Sequence, residues 1–334
     1  MKLGLQLGYW MGPTPPTNHL ELARAAESLG YDSLWFGEAY GSDVFSPLCW
    51  IGAKTSKIKL GTGIMQMAAR TPACVAMTAA TIDHLTNGRL ILGVGVSGPQ
   101  VVEGWYGQPF PKPMGRTREF FDLVRAMIRR EGPVSFQGEH YQLPITGGAQ
   151  LGKPLKLIIH PRRTEIPMYL GAEGPQNVKM ATEIADGWLP LFYSPFRQEV
   201  YEDSLRNLKP GFDVACPVTV VIGDDLESCL IPIKWALAFY IGGMGAASKN
   251  FHLNLIGRLG FEEDAKKVQK LFLEGKRAEA AAAVPDRLAD EISLAGPPAR
   301  VKDRLQAWRD SPVTTILAGT RDVTTLRLLA EAAL

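Results

Sequence analysis

Short apolar runs alternate with longer amphipathic ones almost from the first residue. That rhythm predicts strands followed by helices, and therefore a mainly parallel sheet. Strands are expected over 3–8, 33–37, 58–63, 90–95, 166–170, 188–191, 214–222 and 313–318. After a loop over 11–18, the first helix carries Leu22, Ala25, Ala26 and Leu29 on one face, with Gly30 as its stop. Further helices are expected over 47–54, 72–85, 115–130, 175–185 and 197–208. Ser135-Phe136-Gln137 and His140-Tyr141-Gln142 flank Gly138-Glu139 and read as a small β-hairpin after the fourth helix. The segment 224–294 breaks the rhythm: it is mostly helical, has no clear strand, and is far longer than an ordinary αβ connection. Gly296-Pro297-Pro298 ends it, and a helix to about 308, a strand and a terminal helix close the chain. The count is near eight βα units in one domain over 1–334, with a helical insertion after the seventh strand. Such a series either closes into a barrel or stays an open doubly wound sheet.

One stretch concentrates the candidate chemistry: 166–191, IPMYLGAEGPQNVKMATEIADGWLPL. It reads as strand, glycine turn, helix, turn and strand. Gly171 and Gly174 bracket Ala172 and Glu173, which would let the turn take positive φ and bring its backbone close to a ligand. Pro175 presets a first helical turn, followed by Gln176, and Val178, Ala181, Ile184 and Ala185 form one buried stripe. A glycine turn that opens a helix aims free N–H groups and the positive end of the dipole at one point, which suits a phosphate. An ordinary βα turn has the same punctuation.

Composition narrows the class. The 334 residues are 46% hydrophobic and 21% charged, with a formal net charge of +2, so neither nucleic acid nor an anionic membrane is favoured as a partner. Cys49, Cys74, Cys216 and Cys229 lie far apart without metal or redox spacing, as in reduced cytoplasmic proteins. The first ten residues read as a strand, too short an apolar run for a signal peptide, and no stretch approaches the ~20 apolar residues of a membrane span.

In a closed barrel the site lies at the C-terminal strand ends. Those ends hold 6–9 (with Gly8), 37–41, 63–67, 95–100, 171–176 and 191–193. They are rich in glycine, with Glu38 and Glu103 as the carboxylates nearby. Small residues and bare backbone suit a flat, extended cofactor across the mouth. No His/Cys/Asp/Glu cluster converges on a metal, and no nucleophile elbow points to a hydrolase. Gly93-Val94-Gly95-Val96-Ser97-Gly98 resembles a dinucleotide fingerprint but is set aside, since no helix is expected at its third glycine. Trp105, Tyr106 and Phe110 read as packing rather than as a substrate platform, and Met65 and Met67 as core filling.

The segments LWFGEAYGSD, IKLGTGI, GRLILGVGVSGP, MYLGAEGP, ATEIADGW and LAGPPARVKDRL, in this order and spacing, resemble the bacterial-luciferase-like superfamily. Within it they are most similar to the branch that uses the deazaflavin coenzyme F420, such as methylenetetrahydromethanopterin reductase. The resemblance covers nearly the whole chain and implies a (β/α)8 TIM barrel holding the deazaflavin in its mouth. It implies a non-prolyl cis peptide at Gly63-Ile64 behind the ring, and an acidic residue, Glu38, at the end of the second strand. Ala39 stands where several relatives carry a proton-transferring His. Ser97 and Gly98 match the loop near the ring and its ribityl-like chain, and Gly171, Ala172, Glu173, Gly174, Pro175 and Gln176 match the phosphate grip. Arg162 and Arg163 are the candidates for the acidic polyglutamate tail.

The activity implied is hydride transfer between coenzyme F420 and a small organic substrate, with Glu38 as the catalytic acid or base unless it is merely the ion-pair partner of Arg70. An FMN-dependent monooxygenase of the same superfamily and a non-catalytic F420-binding protein are the alternatives. A homodimer is expected to bury Pro47, Leu48, Trp50, Ile51, Ala73, Val75, Ala76, Ala79 and Ala80, which exceed what one barrel face needs.

Overall fold

A computed structural model describes residues 1–10, 12–245 and 250–334. The chain runs β1 (Lys2–Gly8), α1 (His19–Ser28), β2 (Ser33–Phe36), α2 (Phe45–Gly52), β3 (Lys59–Thr62), β4 (Met65–Gln66), α3 (Pro72–Leu85), β5 (Leu90–Gly95), α4 (Pro99–Gly104) and α5 (Pro113–Arg129). A hairpin of β6 (Phe136–Gln137) and β7 (Gln142–Leu143) follows, then β8 (Met168–Gly171), α6 (Pro175–Ile184), β9 (Gly187–Leu189), α7 (Glu202–Leu205) and β10 (Asp213–Ile222). Helices α8 (Leu226–Gly243), α9 (Phe251–Ile256), α10 (Glu262–Leu273), α11 (Arg277–Ala282) and α12 (Asp286–Glu291) precede β11 (Ser293–Gly296), α13 (Pro298–Arg309), β12 (Thr315–Gly319) and α14 (Val323–Ala333). Residues 246–249, inside the run expected to be helical, and Met11 in the first loop lie outside the described residues.

Eight strands pair in parallel in the order β1-β2-β3-β5-β8-β9-β10-β12, and β12 returns to β1 to close a barrel. The open doubly wound alternative is thereby excluded. Three local expectations need correction. Residues 293–296, at the end of the insertion expected to be strandless over 224–294 and at its boundary, form β11, which pairs with the overhanging end of β10 through Thr219–Ile222. A strand of ten residues outruns its barrel neighbour, and β11 satisfies the backbone groups left over. The expected 197–208 helix shrinks to a 3₁₀ turn and the four-residue α7. The expected 58–63 strand stops at Thr62 and resumes as β4 after the cis peptide Gly63-Ile64.

The barrel interior is filled by Trp35, Ile91, Tyr169, Leu189, Ala215 and Leu317, all 6% exposed or less. Large side chains face glycines on neighbouring strands. A Cβ on Gly61 would lie 2.3 Å from the Trp35 ring, one on Gly187 2.8 Å from Tyr169, and one on Gly4 2.5 Å from Leu317. Much of the strand glycine therefore makes room for the core rather than for a ligand. The N-terminal end is closed by Asp213, which accepts hydrogen bonds from Lys2 Nζ at 3.0 Å, Tyr169 Oη at 2.8 Å, Thr315 Oγ1 at 2.7 Å and Thr314 Oγ1. Among the described residues no helix is long and apolar enough to cross a membrane.

Candidate active site

The C-terminal mouth is built around the turn between β3 and β4. The Ile64 side chain points across toward β5 and β8, where an added Cβ would lie 2.7 Å from it on Gly95 and 2.9 Å from it on Gly171. These two glycines seat Ile64. Met65 and Met67 are buried behind, as core filling.

Glu38 ties this turn to the end of β2. Its carboxylate takes Arg70 Nη2 at 2.7 Å and Nη1 at 2.8 Å, the Gln66 backbone N–H at 2.9 Å and the Val44 N–H at 3.3 Å. Gln66 Nε2 in turn donates to the Glu38 carbonyl at 3.2 Å. The side chains of Glu38 and Arg70 are only 3% and 16% exposed, and the guanidinium stands 5.0 Å over the Phe45 ring. Burial alone would lower the Arg70 pKa, but the hydrogen bond and charge of Glu38 outweigh it and hold the guanidinium above its ordinary value. Both carboxylate oxygens are engaged, which suits an anchor better than a proton carrier.

The turn after β8 departs from its expected conformation. Neither Gly171 nor Gly174 has positive φ, and Gly174 is an extended N-cap (φ −74°, ψ 146°). An added Cβ on Gly174 meets nothing within 4 Å, so its open face is the one available to a ligand. α6 starts there with Pro175, and no side chain caps it. The turn is pinned from behind: Trp188 Nε1 donates to the Ala172 carbonyl at 2.8 Å, Arg258 Nη2 to the Glu173 carbonyl at 2.8 Å, and His252 Nδ1 lies 2.9 Å from Glu173 Oε1. Gln176 and Pro175 are exposed at the helix start.

Around the rest of the mouth, Gly8 has φ +68° with open space beside it, and Ser97 has φ +65°. A helix does follow the third glycine, contrary to expectation: α4 begins at Pro99 with Gly98 as its N-cap and is six residues long. A cavity of about 270 Å³ lies beside Ala39, bordered by Glu38, Tyr40, Asp43, Arg70 and Trp105. Trp105 is 65% exposed and Tyr40 50%, their rings 6.4 Å apart, so Trp105 is a rim residue and not packing. Gln6 Oε1 is buried without a partner among the described residues, 3.6 Å from where a Cβ on Gly63 would sit. An orphaned acceptor in front of the bulge that Gly63 and Ile64 make between β3 and β4, and bare backbone at Gly8 and Gly174, fit a ring that donates an N–H and carries a phosphate. Among the described residues no cluster is fit to hold a metal.

Other candidates fall elsewhere. Arg163 binds Asp83 at 3.0 Å and the Leu90 carbonyl at 2.7 Å, at the N-terminal end of β5. With Arg162 beside Gly88, this pair is on the face opposite the mouth, not at a cofactor tail. Glu103 is exposed. Residues that no local pattern marked, Tyr240, His252 and Arg258, reach the mouth from the insertion.

The profile of the family described as luciferase-like monooxygenase matches residues 4–315, and the chain is an enzyme belonging to that family. It is 48% identical to the Mycobacterium tuberculosis protein named "Putative coenzyme F420-dependent oxidoreductase Rv3520c", over 99% of this chain and 98% of that one. It is 27% identical to 5,10-methylenetetrahydromethanopterin reductase of Archaeoglobus fulgidus, over 96% and 93%. The barrel superposes on the coenzyme F420-dependent tetrahydromethanopterin reductase of Methanopyrus kandleri with a TM-score of 0.79 at 24% identity, covering 99% and 97% of the two chains.

Proposed function

We propose that this protein is a cytoplasmic oxidoreductase that transfers a hydride between coenzyme F420 and a small organic substrate. The observation that carries the reading is the pairing of an orphaned acceptor, Gln6 Oε1, with the open Gly174 turn, on a barrel whose full-length relative bears the F420-dependent name. Gly63 and Ile64 back the ring, with Gly8 and Gln6 at one edge and Ser97 and Gly98 along the chain that leads from it. The backbone N–H groups of the turn from Gly171 to Gln176, Pro175 excepted, receive the phosphate. The bound deazaflavin supplies the two-electron chemistry, and the protein orients it and excludes water. Glu38 and Ala39 border the reacting face, where Glu38 acts by holding the bulge in place. The substrate occupies the cavity between Ala39, Tyr40 and Trp105.

Fluorescence titration of the purified apoprotein with coenzyme F420 and with FMN tests this. Tighter binding of F420 is expected; preference for FMN would transfer the protein to the monooxygenase reading. Binding of F420 without oxidation of its reduced form by any small organic acceptor would mark a carrier instead. The assembly proposed is a homodimer through α2 and α3, but most of the residues first expected to be buried there are not available. Pro47, Leu48, Ile51, Val75, Ala76, Ala79 and Ala80 are buried within the chain itself, which leaves the exposed Trp50 on α2 and Met77 on α3 as its apolar contacts.

A further inference from the structure

With Ala at position 39 and both Glu38 oxygens engaged, neither of these residues at the end of β2 gives the proton that must accompany a hydride, and the Tyr40 hydroxyl is turned to Met244 Sδ at 3.8 Å. Another hydroxyl stands at the end of the neighbouring strand. Tyr9 follows the last residue of β1, and its hydroxyl lies 3.2 Å from that of Tyr240 on α8. An added Cβ on Gly37 would sit 3.4 Å from the Tyr9 ring and 3.1 Å from the Gly63 carbonyl, so Tyr9 stands beside the bulge. Tyr240 is set behind it, enclosed by the rings of Phe192, Phe239 and His252 at 5.2, 5.8 and 5.0 Å, all nearly perpendicular. His252 Nδ1 lies 2.9 Å from Glu173 Oε1, on the side of the turn after β8, without a hydrogen bond to it. Two hydroxyls that share one hydrogen bond use one of their two protons. The other O–H has no acceptor among the described residues and is free to donate.

We infer that the Tyr9 hydroxyl, backed by Tyr240, gives the proton to the heteroatom of a polarised C=O or C=N double bond as the hydride reaches its carbon. This rests on the function proposed above, with reduced coenzyme F420 as the reductant. The hydride's electron pair forms the new C–H bond and the π pair moves to the heteroatom. That atom takes the proton as the Tyr9 O–H bond breaks. The phenolate recovers a proton from Tyr240, which recovers one from water. Burial raises the pKa of both phenols, so each is protonated at neutral pH but is a weaker acid than in water, and the transfer is driven by the charge that develops on the heteroatom.

The test uses the full chain, wild type, Tyr9→Phe and Tyr240→Phe, with cyclohexanone, benzaldehyde and 1-pyrroline as acceptors. Four quantities are read: F420 affinity by fluorescence, melting temperature, single-turnover rate, and the solvent deuterium isotope effect on that rate. Tyr9→Phe is expected to keep F420 affinity within about twofold, slow the step roughly a hundredfold, the usual scale for one general acid, and abolish the isotope effect. Tyr240→Phe should produce a smaller loss. If Tyr9→Phe does not fold, the isotope effect in Tyr240→Phe decides. Wild-type rate and isotope effect in Tyr9→Phe would overturn the assignment while wild-type turnover keeps the proposed function standing; a wild type that binds F420 but is inert toward all three acceptors overturns both. A wild type that does not bind F420 overturns both.

Discussion

Arg70 grips both carboxylate oxygens of Glu38, at 2.7 and 2.8 Å, with the carboxylate side chain only 3% exposed. The same carboxylate accepts the Gln66 N–H directly after the Ile64–Met65 turn, so one side chain joins the end of β2, the bulge and the segment that carries Arg70.

Removal of that charge should therefore be felt first as instability. Glu38→Gln leaves a buried guanidinium uncompensated, at a cost on the order of 3 kcal/mol. A lower melting temperature with F420 turnover reduced only in proportion to lost binding is expected. An unchanged melting temperature with hydride transfer slowed about a hundredfold would instead make Glu38 the proton carrier.

The two glycines of the β8–α6 turn should respond oppositely. Gly174→Val adds a side chain to open space at an extended backbone, so folding should be unaffected while F420 affinity falls tenfold or more. Gly171→Ala forces a methyl to within 2.9 Å of Ile64, and overpacking of this kind costs about 1–3 kcal/mol. Calorimetry and fluorescence titration of the two variants separate the effects.

The floor of the barrel sets an acid limit. Burial would raise the Asp213 pKa, but the hydrogen bond from Thr314, the charge of Lys2 and the hydrogen bond from Thr315 outweigh it and hold the carboxyl below its ordinary value. A depressed carboxylate contributes stability above its unfolded pKa of about 3.9 and loses it as pH falls through the lower folded value. Melting temperature should thus decline more steeply below pH about 4 in wild type than in Asp213→Asn. At neutral pH the variant should be less stable by roughly 2 kcal/mol, the scale of hydrogen bonds to a charged acceptor.

Assembly through α2 and α3 predicts that Trp50→Glu yields a monomer. Light scattering at micromolar concentration should give a dimer mass for wild type and half of it for the variant. A monomeric wild type would discard the dimer.

The alternation of apolar runs and amphipathic helices predicted the eight parallel strands and most of the helices, though not β11 or the shortened α7, and placed Gly8, Glu38, Gly63, Ser97 and Gly174 at the ends of strands. Burial periodicity and turn residues act within a few positions of themselves, so they survive in the linear order. Which glycine faces a ligand and which faces a neighbour's side chain did not survive. Gly171 and Gly174 lie in one turn, and only the arrival of Ile64 from another strand distinguishes them. The same holds for Arg163, whose charge is spent on Asp83 eighty positions away, and for Tyr9 and Tyr240, separated by 231. Contacts of that span are created when the ring of strands closes and the insertion folds back over its mouth, and no local pattern encodes them.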